Sequence, residues 1–207
     1  MHGSLTGPFL CDPRGQRIVE RNPIAPRLES LAGKRIGLLE NTKKNADRLL
    51  RAFGELLQRD HGVASVEYHC KPGSSPDAPA AMIAALSQCD AVINAYGDCG
   101  SCTSWCIYDG VTLEKRGVPT ATVNSDAFVV LGQQEAIALG VPGLPIVTVP
   151  HPMGDVPADE VQRRAAVAVA QVVHVLTTPA EALESEYTDR FIVETEKFLS
   201  AGLACEL

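Results

Sequence analysis

From Lys34 onward the apolar positions switch repeatedly between two periods. Five short apolar runs, at 35–39, 63–69, 90–95, 118–123 and 144–149, have strand length and are rich in Val and Ile. The segments between them change to helical spacing. At 45–59, Ala46, Leu49, Leu50, Phe53, Leu56 and Leu57 recur three and four residues apart, and further helices are predicted at 76–88, at 126–139 before Gly140, and at 158–175. Ile107, Val111 and Leu113, followed by Glu114-Lys115-Arg116, predict an amphipathic helix that stops at Gly117. The Ala- and Val-rich stretch 158–175 predicts a buried helix, and 180–203 one last helix or two. Strands separated by helix-length segments imply βαβ units, a parallel sheet and right-handed crossovers. The expected fold is therefore α/β: a single-domain, doubly wound, mostly parallel sheet of Rossmann or flavodoxin-like type with helices on both faces. Residues 1–33, rich in Pro, Arg and Gly and with a turn at 10–15, show no such rhythm and are predicted as an N-terminal arm on a domain spanning 34–207.

Composition narrows the function classes. With 207 residues, 45% hydrophobic and 21% charged, the chain suits one well-buried core and is short for two domains. No apolar run approaches the ~18 residues that span a membrane, so no membrane partner is expected. A net charge of −7, with no basic cluster beyond two or three residues, argues against nucleic acid. Met1 to Pro8 carry neither the basic patch nor the apolar core of a signal peptide, which makes a cytoplasmic location the expectation. Seven cysteines, an odd count, point to reduced thiols, metal ligands or catalysis rather than a disulfide framework. Only Cys99, Cys102 and Cys106 are clustered.

Four loops follow predicted strands, at 40–44, 97–104, 124–126 and 150–154, and in a doubly wound fold they converge at the carboxyl edge of the sheet. They would bring together Asn41, Lys43, Asp98, Cys99, Gly100, Ser101, Cys102, Thr103, Ser104, Asn124 and His151. Cys99 and Cys102 stand out because Gly97-Asp98-Cys99-Gly100-Ser101-Cys102-Thr103-Ser104 is polar and opens a helix, whose N-terminus stabilises a thiolate. Such a pair can cycle between dithiol and disulfide, or attack and resolve; the alternatives are two buried small side chains, or zinc ligands, for which no second pair with metal spacing exists. Cys106 reads as core or as a third thiol on the same helix face. Asp98 reads as a base or orienting group, or equally as the helix N-cap. His151, between Pro150 and Pro152, reads as a proton donor or acceptor, or as a loop residue capping a carbonyl. Lys43 suits a carboxylate or phosphate, or solvent. Gly97, Gly100 and Gly154 mark sharp turns or close approach to a ligand. No Gly-x-Gly-x-x-Gly follows the first strand, and there is no phosphate-loop or His-Glu-x-x-His motif. No cofactor is expected beyond an external thiol or reductant.

The string Gly97 to Trp105, with Cys99-Gly100-Ser101-Cys102 at its centre, resembles the UGSC family, named for a selenocysteine-Gly-Ser-Cys motif in which many members carry Cys first. Similar strings are Asp12-Pro13, Ala25 to Leu28, Gly37 to Asp47, Asp109 to Glu114 and Pro150-His151-Pro152. The selenocysteine form implies that Cys99 is the attacking atom and Cys102 the resolving thiol, an arrangement that looks like the substrate-activating selenoproteins of glycine-type reductases. The resulting expectation is a thiol-dependent enzyme, oxidoreductase or transferase, in which Cys99, Cys102, Asp98 and His151 are catalytic. Asn41, Lys43, Gly100, Ser101, Thr103, Ser104 and Asn124 would bind a small polar or anionic substrate. The alternatives are a cofactor-free lyase or isomerase using cysteine for proton transfer, and a non-catalytic subunit binding metal or a partner. A homodimer or one subunit of a heteromer is the expected assembly.

Overall fold

Strand β1 (Arg35–Glu40) shows how the chain serves two faces at once. Ile36 and Leu38 enter the larger core beneath helix α1 (Ala46–His61), while Leu39 joins a smaller cluster on the other side. A strand buried on both faces is what a parallel sheet requires. In the computed structural model of the chain, which describes residues 19–202, β1 pairs in parallel with β2 (Ser65–Cys70) and β3 (Ala91–Gly97). Strand β4 (Thr120–Ser125) adds to β3, and β5 (Ile146–Val149) to β4. The order β2-β1-β3-β4-β5, all parallel, is the flavodoxin-like doubly wound arrangement.

Helix α1 packs with α5 (Ala158–Thr177) on one face, and α2 (Ala80–Leu86), α3 (Gly100–Glu114) and α4 (Val129–Ala138) cover the other. The strands and helices fall where the periodicity puts them, with shifted ends; residues 126–139 divide into a 3₁₀ turn (Asp126–Phe128) and α4. The last segment forms two helices, α6 (Ala180–Tyr187) and α7 (Arg190–Gly202). Helix α5 departs from expectation, because it buries one face, through Val161, Ala165, Ala168 and Val172, and leaves Val167 exposed. At the β5 edge, Gln171 accepts from Thr148 N–H at 3.1 Å and donates to its carbonyl at 3.3 Å, standing in for a sixth strand.

Helix α3 differs most from its sequence reading. Nine of its fifteen residues are buried, Asp109 and Glu114 included, because sheet, α4 and the segment before β1 enclose most of it. Asp109 meets the equally buried Lys71 at 2.6 Å and accepts from Ala78 N–H at 2.8 Å. Glu114 meets Arg27 at 2.9 Å and accepts from Ala25 N–H, Thr120 N–H and the Thr120 hydroxyl. Residues 19–34, which contain no helix or strand, thus pack on the domain, with Leu28 N–H also reaching the Leu176 carbonyl at 2.9 Å. The predicted turn at 10–15 lies outside the described residues.

Close approach of α3 to the sheet depends on Gly97 and Gly110. A Cβ at Gly97 would fall 2.5 Å from Asn124 Oδ1 and 2.7 Å from Thr103 Oγ1, and one at Gly110 2.4 Å from Thr122 Oγ1. Larger residues would push the helix off β3 and β4.

Candidate functional site

The chain leaves β1 toward β2 on one side and leaves β3 toward β4 on the other. This reversal opens a crevice at the carboxyl ends of β1 and β3, the place where open α/β sheets bind ligands. The loop after β1 carries Asn41 and Lys43, and the turn from β3 into α3 carries Asp98 and Cys99. The sequence order of strands alone does not reveal that these two loops are neighbours; the sheet order does.

Cys99 is the N-cap of α3, a role the sequence offered to Asp98. Its extended backbone turns the sulfur back over the first helical turn, where Sγ accepts from Cys102 N–H at 3.4 Å, as a capping oxygen would. Lys43 Nζ stands 3.8 Å from the same sulfur. Burial pushes the Cys99 thiol up, but the Cys102 thiol and N–H, the Lys43 ammonium and the Ser101 hydroxyl outweigh it and hold the pKa below the ordinary thiol value. Cys99 is half-buried, open enough for a small reagent.

Cys102 is its opposite. Fully buried, it accepts from Asp98 N–H at 3.2 Å and directs its own thiol at the Cys99 carbonyl, 3.4 Å away. Burial, with the neighbouring Cys99 sulfur, pushes it up to about 11. Negative charge on this pair therefore rests on Cys99. Cys106 lies one turn deeper, buried, with its sulfur accepting from Asn41 Nδ2 at 3.4 Å; burial, reinforced by Asp109, raises its pKa far above the ordinary value. It belongs to the core side of the site.

Asp98 points away from α3 toward the loop after β5. Its Oδ1 lies 2.8 Å from His151 Nδ1, and its Oδ2 accepts from Met153 N–H at 3.2 Å and Gly154 N–H at 3.4 Å. A carboxylate only accepts, so Nδ1 carries the proton and Nε2 is the ring nitrogen open to a ligand. Ser125 Oγ also lies 3.3 Å from Nδ1, and the Phe128 ring stands 5.7 Å from the imidazole, centroid to centroid; the His151 side chain is 40% exposed. The dyad spans two loops and flanks Cys99 through the peptide bond between Asp98 and Cys99.

The remaining predicted positions divide. Asn41 is buried and braces the loop, donating to the Tyr96 carbonyl at 2.9 Å as well as to Cys106. Gly100 and Ser101 are exposed at the start of α3, where the first N–H groups of a helix lack intrahelical acceptors. Gly100 has open space at its missing Cβ and no left-handed φ, so nothing in the backbone demands glycine there. Thr103 and Asn124 are wholly buried behind the loop, facing each other across Gly97, and are not presented to the crevice. Ser104 turns away from the cysteines toward Glu135.

Two contributors escaped the sequence reading, Ser125 and Asn45, and the loop marked by Gly154 serves the site by giving its Met153 and Gly154 N–H groups to Asp98. Asn45 Nδ2 donates to the Met153 and Val156 carbonyls and so ties the β1 loop to the β5 loop. An Asn at the start of a helix signals an ordinary cap; here the backbone is left-handed and the side chain reaches outward instead. Among the described residues, no group of three or more His, Cys, Asp or Glu is arranged to hold a metal ion. No described helix is long and apolar enough to cross a membrane.

Two of the solved structures similar to the chain are the following. One is a flavodoxin-like domain from Synechococcus sp, with 16% identity over 69% of this chain and 98% of that one and a TM-score of 0.39. The other is a diflavin flavoprotein A3 from Nostoc sp., with 14% identity over 70% and 95% and a TM-score of 0.42. No curated protein matches the chain. A family model matches residues 9–178, a span that includes the cysteine turn, the Lys43 loop, the Asp98–His151 pair and both buried ion pairs, and the chain belongs to the UGSC family.

Proposed function

We propose that the protein is a thiol-dependent enzyme in which Cys99 attacks a small polar or anionic substrate and Cys102 resolves the adduct. One observation carries this reading. Two sulfurs on the same helical turn are driven apart in acidity, the exposed one down beside Lys43 and the buried one up. Nucleophile and resolving thiol need that asymmetry.

For a substrate R–L, the Cys99 thiolate forms an S–R bond and L leaves with the bonding electrons. Cys102 then gives up its proton and attacks Cys99 Sγ. The S–R pair departs with R and is protonated to R–H, and the two cysteines are left as a disulfide. The substrate gains two electrons and the dithiol loses two, which an external thiol restores. Lys43 offers a partner for an anionic group on R, and His151 Nε2 offers a route for the proton, oriented by Asp98.

A second reading rests on the Asp98–His151 pair. An imidazole and a thiol at one crevice also suit proton abstraction and return without electron transfer, as in a lyase or isomerase.

Intact-protein mass spectrometry after exposure to candidate electrophilic substrates tests both. Thiol attack predicts an adduct on Cys99 that accumulates in Cys102→Ser and never forms in Cys99→Ser. Turnover that persists with Cys102 alkylated and no reductant present overturns the redox cycle in favour of proton transfer.

A further inference from the structure

The two edges of the sheet are finished differently. At the β5 edge Gln171 occupies the outward N–H and C=O of Thr148. The β2 edge has no such cover. Lys71 N–H donates to the Glu40 carbonyl at 2.8 Å and Ser65 N–H points at the Lys34 carbonyl, so the odd-numbered residues of β2 face β1. Successive residues of a strand turn their backbone groups to opposite sides, which leaves the N–H and C=O of Val66, Tyr68 and Cys70 directed away from the sheet. Among the described residues no hydrogen bond reaches these groups. The strand is exposed at both ends and half-buried between them, and its sequence, Ser-Val-Glu-Tyr-His-Cys, contains neither the Lys nor the Pro that commonly blunts an open edge.

The same strand is complementary to itself. An antiparallel partner must match outward residues with outward residues, because such pairs exchange both backbone bonds. For two copies of β2 related by a two-fold axis, a register centred on Glu67 sets carboxylate against carboxylate, and one centred on His69 sets imidazole against imidazole. Like charges directly opposite are destabilising. The register centred on Tyr68 pairs Tyr68 with the partner's Tyr68 and Val66 with the partner's Cys70, and it alone uses all three outward residues. It also sets Glu67 opposite the partner's His69. Within one chain His69 Nε2 lies 2.8 Å from Glu67 Oε1, so carboxylate and imidazole alternate around the axis. On the opposite face Val66 and Tyr68 line a groove of about 200 Å³ with Arg51, Glu55 and Gln58, which leaves room there for the partner's side chains.

We propose that β2 pairs antiparallel with β2 of a second copy of this chain, about a two-fold axis at Tyr68, and so joins two five-stranded sheets into one. The backbone groups of Val66, Tyr68 and Cys70 supply the attraction, and the alternation of Glu67 with His69 fixes the register.

Sedimentation equilibrium of the full chain should give a dimer. His69→Glu sets carboxylates opposite each other on both sides of the axis and should raise the dissociation constant at least about tenfold. Combining it with Glu67→Lys restores opposite charges across the axis and should recover most of that loss. Val66→Cys reads the register directly, because facing Cα atoms of a hydrogen-bonded pair lie about 5.5 Å apart, within reach of a disulfide. Mild oxidation should link position 66 to the partner's Cys70, as peptide mapping would show, and should not do so in Val66→Cys/Cys70→Ser. A monomer at about 100 µM, a dimer indifferent to His69→Glu, or a double variant no tighter than His69→Glu overturns the proposal. Should the charge variants fail to fold, a Val66→Cys dimer with no link between positions 66 and 70 overturns it.

Discussion

The two ends of helix α3 handle negative charge in opposite ways. At the N-terminus a sulfur is held partly open and made more acidic by a helical N–H and an ammonium. At the C-terminal half two carboxylates are shut away, each locked to a cation from a distant segment, Lys71 or Arg27. An anion at a helix N-terminus is favoured by the helix dipole and one at the C-terminus is opposed by it. Glu114, the last residue of α3, therefore needs the four donors that surround it, whereas Cys99 needs few and keeps an open side. One end anchors the helix so that the other can present a reactive group without moving.

Removing the anchor should have the largest effect. Glu114→Ala strands the buried Arg27 guanidinium and the N–H groups of Ala25 and Thr120, and unfolding in urea should show a loss of about 3–5 kcal/mol, the cost of breaking a buried pair from one side. Lys71→Ala should lose a similar amount, because Asp109 stays buried with only the Ala78 N–H for a partner. A loss below about 1 kcal/mol in both would mean that these pairs behave like surface salt bridges, and the contrast between the two ends of the helix would fail.

That contrast was only half legible in the sequence. The alternation of apolar runs and helical spacing was enough for the doubly wound fold, and the polar Gly-Asp-Cys-Gly-Ser-Cys string was enough to place the thiols at a strand end. Local periodicity, however, assigns Asp109 and Glu114 to solvent, because their partners at 71 and 27 are remote in the chain. The same limit hid the tie from Asn45 to the β5 loop and the pairing of Asp98 with His151. It also made Thr103 and Asn124 look accessible. They follow a loop and a strand end respectively, but α3 lies so close over Gly97 that both side chains are sealed beneath it.

At the reactive end, alkylation by iodoacetamide should separate the two thiols. With a pKa near 11, Cys102 is only about one-thousandth thiolate at pH 8. Cys99, displaced downward, should label with an apparent midpoint below that of an unperturbed thiol. Peptide mapping after brief labelling should find Cys99 modified and Cys102 intact; equal labelling would remove the asymmetry on which a nucleophile and a resolving thiol depend. Lys43→Met takes away one of the groups that stabilise the thiolate and should raise the Cys99 midpoint. Added salt should shift the wild-type midpoint in the same direction by less, because the pair is partly exposed. A midpoint unmoved in Lys43→Met would leave the Cys102 N–H and thiol and the Ser101 hydroxyl as the groups holding the thiolate.

The smallest effect belongs to Gly100, the first residue of α3. Its φ is not left-handed and nothing lies within 4 Å of where a Cβ would sit, in contrast to Gly97 three residues earlier. Alanine at this position restricts the unfolded chain without straining the folded one, so Gly100→Ala should be neutral or stabilising, by no more than about 1 kcal/mol in thermal unfolding. Reaction of Cys99 with iodoacetamide, a small probe, should keep its rate and its pH midpoint. The substitution also separates two reasons for a glycine beside the nucleophile. If folding and alkylation are unchanged while turnover of a true substrate falls, the missing side chain is space that the substrate occupies over the helix N-terminus, next to the sulfur. If turnover is unchanged as well, Gly100 serves neither backbone nor ligand, and substrate recognition rests with Lys43 and His151 across the crevice.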